Sequence, residues 1–143
     1  MTVSGSPAEP GVDHPIARAM FAEDRASQAL GISLDDLGPG YAKTSMRITG
    51  SMVNGHGITH GGYVFMVADT TFALACNSYS DAAVATRADI HFLGQTREGD
   101  VLVAVAVERQ RLGRNGIYDV TVRCGDDVVA EFRGDCRTIA RPV

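Results

Sequence analysis

The residues with the clearest chemical potential lie between Asn54 and Asp69. From His60 to Cys76 the chain reads HGGYVFMVADTTFALAC, apolar almost without interruption after its two glycines, and Asp69 is its only acid. A carboxylate in such surroundings costs several kcal/mol unless it is paired, hydrogen-bonded or neutralised. It is therefore either satisfied structurally or used, and a used carboxylate acts as a nucleophile or a general base. Gly61 and Gly62 open the same stretch. At a helix start the first N–H groups lack intrahelical acceptors and sit at the positive end of the dipole. A carbonyl placed there is polarised, and one donor to a developing oxyanion is worth about 3–4 kcal/mol of barrier. Glycine also removes the Cβ that would hold a ligand away.

Other polar residues nearby have weaker claims. His56 and His60 stand four apart and, with Asp69, raise the question of a metal. The spacing is not HExxH, it falls in a glycine-rich loop and it lacks a fourth ligand, so no metal is expected. Asn54 is an ordinary turn residue by type. Thr86 is a β-branched strand residue first and a weaker candidate for fixing a water second.

The elements that must position these groups can be read in order. Residues 1–12, rich in Ser, Gly and Pro, suggest a flexible tail, with one domain over 13–143. Asp13-His14-Pro15 reads as a helix start, Ile16, Met20, Ala26 and Leu30 recur at roughly helical spacing, and Gly31 is a stop. Residues 32–37 are short and mixed, and Gly38-Pro39-Gly40 is a turn. Alternation predicts a strand over 41–49, and the glycine-rich loop 50–62 then delivers the chain into the apolar helix. That helix lacks a separable polar face, so it should be buried on most sides. Strand chemistry follows over 83–92, 101–112, 117–124 and 128–139, joined by turns at 94–99, 113–116 and 125–127. Such short connections require mostly antiparallel neighbours. One long apolar helix and a run of antiparallel strands bury each other only if the sheet curls round the helix, an α+β arrangement.

Composition narrows the function. The 143 residues are 45% hydrophobic and 21% charged, with net charge −4 and one lysine, Lys43, so no basic field is offered to nucleic acid. The three cysteines, Cys76, Cys124 and Cys136, show no CxxC spacing and read as reduced, mostly buried residues of a cytoplasmic protein. A basic region followed by an apolar one is missing from the N-terminus, so no signal peptide is expected. The apolar helix is too short and carries an acid, so no membrane span is expected either.

The run Asn54-Gly55-His56-Gly57-Ile58-Thr59-His60-Gly61-Gly62, followed by Ala68-Asp69-Thr70, resembles the hotdog-fold acyl-CoA thioesterases, in particular the phenylacetic acid degradation type. Gly116-Ile117-Tyr118-Asp119-Val120, Phe132-Arg133-Gly134 and the stretch from Met20-Phe21 to Gly31-Ile32 share the resemblance, which covers nearly the whole chain after the tail. It implies a curved antiparallel sheet around the central helix, a homodimer with sites between subunits, and commonly a tetramer. It places the oxyanion donor at Gly61, the catalytic carboxylate at Asp69, an orienting amide at Asn54 and a helix-entry residue at His60. Gly61 and Asp69 are eight residues, about 12 Å, apart along a helix, so one subunit cannot easily bring both to one carbonyl while a two-fold partner can. Whether Asp69 attacks the carbonyl or activates a water stays open.

The substrate implied is an aryl-acetyl-CoA or medium-chain acyl-CoA, with no cofactor beyond the coenzyme A it carries. Gly62, Tyr63, Phe65, Met66 and Phe72 are apolar or close-approach candidates for the acyl pocket. Arg109, Arg111 and Arg114 cluster at one hairpin turn, where Asn115-Gly116 would expose backbone amides beside them for the CoA phosphates. The family often carries Arg-Pro after the strand ending in Phe92; Leu93-Gly94-Gln95 departs from that pattern. Two other classes compete. A hotdog dehydratase or hydratase would need a His, such as His60 or His91, paired with an acid. A non-catalytic acyl-CoA binding module would leave Asp69 structural.

Overall fold

A computed structural model of the protein describes residues 14–139, so the expected tail lies outside the described residues. The elements are α1 (Pro15–Ala22), α2 (Arg25–Ala29), β1 (Ser33–Gly38), β2 (Tyr41–Arg47), α3 (Gly61–Cys76), β3 (Ala83–Phe92), β4 (Val101–Leu112), β5 (Asn115–Cys124) and β6 (Asp127–Thr138). All six strands join one antiparallel sheet in the order β1-β2-β4-β5-β6-β3. Helix α3 packs against every one of them, as the hotdog architecture requires.

Local chemistry explains the packing. In β2 the alternate residues Ala42, Thr44 and Met46 are buried, as are Leu102, Ala104 and Ala106 of β4 and Tyr118, Val120 and Val122 of β5. They face Val67, Ala68, Phe72, Leu74 and Ala75 of α3, and full burial of each larger side chain contributes about 1.5–3 kcal/mol. Gly134 of β6 makes room for the helix: a Cβ there would stand 2.7 Å from the Phe72 ring. The buried Thr71 hydroxyl donates to the Val67 carbonyl at 2.6 Å and meets Thr44 Oγ1 at 2.7 Å, so its burial leaves no orphan.

Three expectations need correction. The single helix expected from residue 13 to 30 is broken in two, because Asp24 caps α2. Its Oδ1 accepts from Ser27 N at 2.9 Å and its Oδ2 from Ser27 Oγ at 2.6 Å. The mixed segment 32–37 supplies an edge strand, β1, whose alternation is disturbed by an irregularity between Leu34 and Asp36. The β4–β5 turn is only Gly113-Arg114: Asn115 and Gly116 lie inside the ladder, opposite Leu112 and Arg111. Gly113 has φ 60, so glycine at the first turn position closes the hairpin before Asn115-Gly116 is reached.

Two surfaces of the fold are left open in the single chain. On α3, Phe65, Met66, Asp69 and Ala73 are half-buried and Gly62 is exposed. At 3.6 residues per turn these five fall within an arc of about 100°, with Asp69 at its centre. The second surface is β3, which pairs with β6 along one edge and is exposed over most of its length, including Val84 and Phe92.

Candidate active site

His60 organises the entry to α3. It occupies the N-cap with extended backbone, and its N–H donates to the Met52 carbonyl at 2.7 Å. Its Nδ1 accepts from Gly62 N at 3.0 Å, and its carbonyl accepts from Tyr63 N at 3.0 Å. An accepting Nδ1 places the proton on Nε2 in the neutral ring. Two first-turn amides are thereby taken, while the Gly61 N–H meets no acceptor among the described residues. The donor at the positive end of the helix is thus selected by the cap. A Cβ at Gly61 would come within 3.0 Å of Phe92 Cζ, so the glycine also accommodates a neighbouring ring.

The Asn54 side chain is held by its oxygen end. Its Oδ1 accepts from His56 N at 2.9 Å and Ile58 N at 3.3 Å, which shapes the loop 54–58. Both partners are N–H donors, so the amide orientation is fixed and Nδ2 is left to donate elsewhere. The loop is pinned from below by Thr59, whose N–H reaches the Thr96 carbonyl at 2.8 Å and whose Oγ1 meets Thr96 Oγ1 at 2.7 Å.

Asn54 and Gly61 meet in a hollow of about 410 Å³, with Val64, Phe92, Gln95 and Thr96 in its walls. A volume of that order suits a small ligand. Segment 92–96 carries no local signal for this position, since neither a strand end nor a departure from the family pattern marks residues that fold over a helix start. His60, Gly62, Tyr63 and Met66 line a second, more apolar hollow with Ala26 and Leu30. Neither hollow includes Asp69.

Asp69 lies half-buried on the open stripe of α3, and no hydrogen bond to its carboxylate is found among the described residues. Its pKa stands above the ordinary carboxylate value, first through burial and second through the negative charge of Asp24. Asp24 is held there by a chain of contacts, for Ser27 Oγ, bonded to Asp24, also meets Thr70 Oγ1 of α3 at 2.8 Å. Asp is a residue type that caps helices, but no local pattern places Asp24 near Asp69.

The remaining candidates are dispersed. Thr86 lies at the irregularity of β3, where its hydroxyl donates to the Asp135 carbonyl at 3.2 Å. Phe65 stacks edge-on with Phe132, and Phe72 contacts Tyr118 and Phe132, so Phe72 belongs to the core. Arg111 covers the Tyr79 ring at 3.7 Å, and Arg114 donates from Nε and Nη2 to the Thr138 carbonyl at 3.1 and 2.9 Å. Gly116 is buried, which overturns the expectation of freely exposed amides beside these arginines. Among the described residues no group of three His, Cys, Asp or Glu side chains could hold a metal ion.

Comparison with known proteins agrees with this fold. Acyl-coenzyme A thioesterase PaaI of Escherichia coli is 42% identical over 124 residues, covering 86% of this chain and 89% of the relative. The structure of the E. coli PaaI protein from the phenylacetic acid degradation operon superposes with a TM-score of 0.85 at 40% identity, over 88% of this chain and 92% of that one. A mutant of phenylacetic acid degradation protein PaaI from Thermus thermophilus gives 0.79 at 31% identity, over 81% and 100%. Residues 56–131 match the family model of the thioesterase superfamily, and with these relatives alongside, the chain belongs to that superfamily and has its hotdog fold.

Proposed function

We propose that this protein hydrolyses acyl-CoA thioesters, of the aryl-acetyl type or with medium-chain acyl groups, at sites shared between two copies of the chain. The observation that carries the reading is the pairing on α3 of a Gly61 amide and, two turns further on, an Asp69 carboxylate that both lack a hydrogen-bond partner among the described residues. The thioester oxygen sits at the Gly61 N–H of one copy, where the helix dipole and the donor stabilise the oxyanion. Asp69 of the other copy removes a proton from the attacking water, or itself adds to the carbonyl and is then released by water. Either route ends in the free acid and coenzyme A. Asn54 Nδ2 orients the carboxylate or water; Thr86 is a lesser candidate for the same task.

A second copy fits the two open surfaces. A ten-residue edge strand with exposed Val84 and Phe92 is a template for pairing with another chain, and β3 is that edge. The half-buried stripe centred on Asp69 would be covered at the same time, so the assembly is a homodimer, and a dimer of dimers completes a tetramer. Val64, Phe92 and Leu93 give the hollow by Gly61 an apolar wall suited to an aryl or alkyl group. Arg111 and Arg114 are exposed and keep donors for the CoA phosphates beyond those used within the chain. No cofactor is required, and the cytoplasm, where acyl-CoA is available, is the proposed location; no described helix is long and apolar enough to cross a membrane.

The test is thiol release from phenylacetyl-CoA and a panel of acyl-CoAs, wild type beside Asp69→Asn. Wild type should release thiol, and the variant should lose the rate by about 10³-fold or more while keeping its fold. An equally active variant would overturn the role of Asp69. An inactive wild type that binds CoA would mark a binding module, and an enoyl product without thiol would mark a dehydratase.

A further inference from the structure

Three arginines border the β4–β5 hairpin, and they are held in different ways. Arg109 Nε meets Asp119 Oδ2 at 3.3 Å, and Arg114 gives two N–H groups to the Thr138 carbonyl. Arg111 lies instead over the Tyr79 ring, 3.7 Å from its centroid. Its nearest carboxylate oxygen, Glu108 Oε1, is 3.9 Å from Nε, beyond hydrogen-bond distance. Arg111 is thus held by a ring face and a nearby charge, which leaves the N–H fork of the guanidinium available to an anion.

The fold brings these groups together from three segments. In a regular strand, residues three apart face opposite sides. An irregularity between Glu108 and Gln110 adds one residue to β4, so Glu108 stands opposite Tyr118 and Arg111 opposite Gly116, on one side of the sheet. Tyr79, three residues past the end of α3, donates its hydroxyl to Glu108 Oε1 at 2.7 Å. The buried Tyr118 donates to the same oxygen at 3.3 Å. Gly40 makes the meeting possible: its φ is 66, and a Cβ there would stand 2.9 Å from both Glu108 Cβ and Tyr79 Oη. Burial and then the hydrogen bond to Glu108 push the Tyr79 phenol up to about 12, so it remains a donor at neutral pH.

We propose that Tyr79 and Glu108 are positioning residues that hold Arg111 for the phosphates of the CoA part of the substrate, an inference that rests on the acyl-CoA reading above. Cys76 ends α3 seven residues after Asp69, about 10 Å along the axis, and lines one cleft with Tyr79 and Arg111. Arg111 therefore sits about two turns past the carboxylate, placed for the distal phosphates of a CoA arm and not for the thioester. Tyr79 and Glu108 touch no substrate. They act through the guanidinium, because a side chain already ordered loses less entropy when the phosphate binds.

The experiment compares kcat/KM for phenylacetyl-CoA with that for phenylacetyl-pantetheine, which carries the same thioester without the nucleotide phosphates. Wild type should prefer the CoA ester, and Arg111→Ala should cut that preference about tenfold. Tyr79→Leu removes the ring and hydroxyl, and Glu108→Gln keeps an acceptor but removes the charge. Each should cut the preference about threefold or more, with the loss in KM rather than kcat. Added to Arg111→Ala, neither should lower the preference further, since both act through that guanidinium. Equal losses for the two esters, losses that add to that of Arg111→Ala, or variants with the wild-type preference would each overturn the positioning role. If Tyr79→Leu does not fold, Glu108→Gln decides alone. A wild type that releases no thiol would instead count against the acyl-CoA reading. CoA and pantetheine binding to the same variants is then compared by calorimetry, and a wild type without preference for CoA would overturn this proposal too.

Discussion

The two ends of α3 are built to opposite rules. At the C-terminal end the helix carbonyls are occupied by side chains: Asn77 Nδ2 donates to the Ala73 carbonyl at 2.8 Å and Ser78 Oγ to the Ala75 carbonyl at 2.6 Å. The same residues tie in their neighbours. Asn77 Oδ1 accepts from Ala83 N at 2.9 Å, Ser78 Oγ from Gly40 N at 2.8 Å, and the Ser78 carbonyl pairs with His14 Nδ1 at 2.9 Å. Asn77 and Ser78 are both buried. At the N-terminal end His60 is exposed, it satisfies two amides, and it leaves the third without a partner among the described residues. An end that is sealed and saturated holds the fold together, whereas an end that is half-capped beside a hollow is available to a ligand.

The contrast is broken most sharply at Gly61. It is the first helical residue of α3, a position where proline is tolerated because the N–H has no intrahelical partner. Gly61→Pro therefore deletes the donor with little cost to the helix, and kcat should fall about 10²- to 10³-fold. Gly61→Ala meets the same Phe92 ring but keeps the N–H, so it should retain far more activity; equal losses would mean that crowding, not the amide, was responsible. Mixing Gly61→Pro with Asp69→Asn subunits should regenerate a fraction of intact sites. No recovery in verified mixed dimers would count against a site shared between chains.

The opposite end should respond in stability alone. Asn77→Ala takes the side-chain partners from the part-buried N–H and carbonyl of Ala83, while the Ala73 carbonyl keeps the N–H of residue 77, and the expected cost is about 1–3 kcal/mol by denaturant unfolding. Turnover per folded molecule should be unchanged. A specific loss of kcat in Asn77→Ala would remove the division between a structural and a functional end.

His60 tests the boundary between the two rules. His60→Ala removes the N-cap acceptor from Gly62 N, at a cost of about 1 kcal/mol. It also frees a second amide next to the first, so hydrolysis should fall only modestly, and His60→Asn should restore the cap. If His60→Ala abolished turnover with the fold intact, the ring would have a direct chemical role.

Much of this fold is visible in the chain because its period-two and apolar patterns are strong where burial is complete. Strands β3 and β4 keep the bounds that their strand-type residues and the turns flanking them predict, and α3 begins at the glycine pair. Legibility fails where two local signals compete. Asn115-Gly116 is a strong hairpin dipeptide, yet Gly113 one step earlier takes the turn and draws it into the strand. In β1 the edge position leaves alternation weakly enforced, and Asp35 can face solvent. At the site, the candidates Asn54, His60 and Gly61 fall within one short run of the chain and are readable from it. The Phe92 ring over Gly61 and the Asp24 charge near Asp69 are contacts between distant segments, which no local pattern encodes.

That last contact makes the subtlest prediction. Hydrolysis through Asp69 needs the carboxylate ionised, so the acidic limb of the pH–rate profile follows its raised pKa. Asp24→Asn removes the second of the two causes while the Asn side chain can still cap α2, so the limb should move to lower pH. The movement should be smaller than the whole displacement, since burial is the larger cause and persists. Stability gives an independent sign. Because the folded state raises this pKa, the native protein binds the extra proton between the unfolded and folded values, and stability falls as pH rises through that window. Asp69→Asn should therefore unfold at a higher temperature than wild type at neutral pH, with the advantage vanishing below the ordinary carboxylate pKa. An acidic limb that does not move in Asp24→Asn, or moves upward, would separate the rate-controlling ionisation from Asp69, and with it the open end of the helix from its carboxylate.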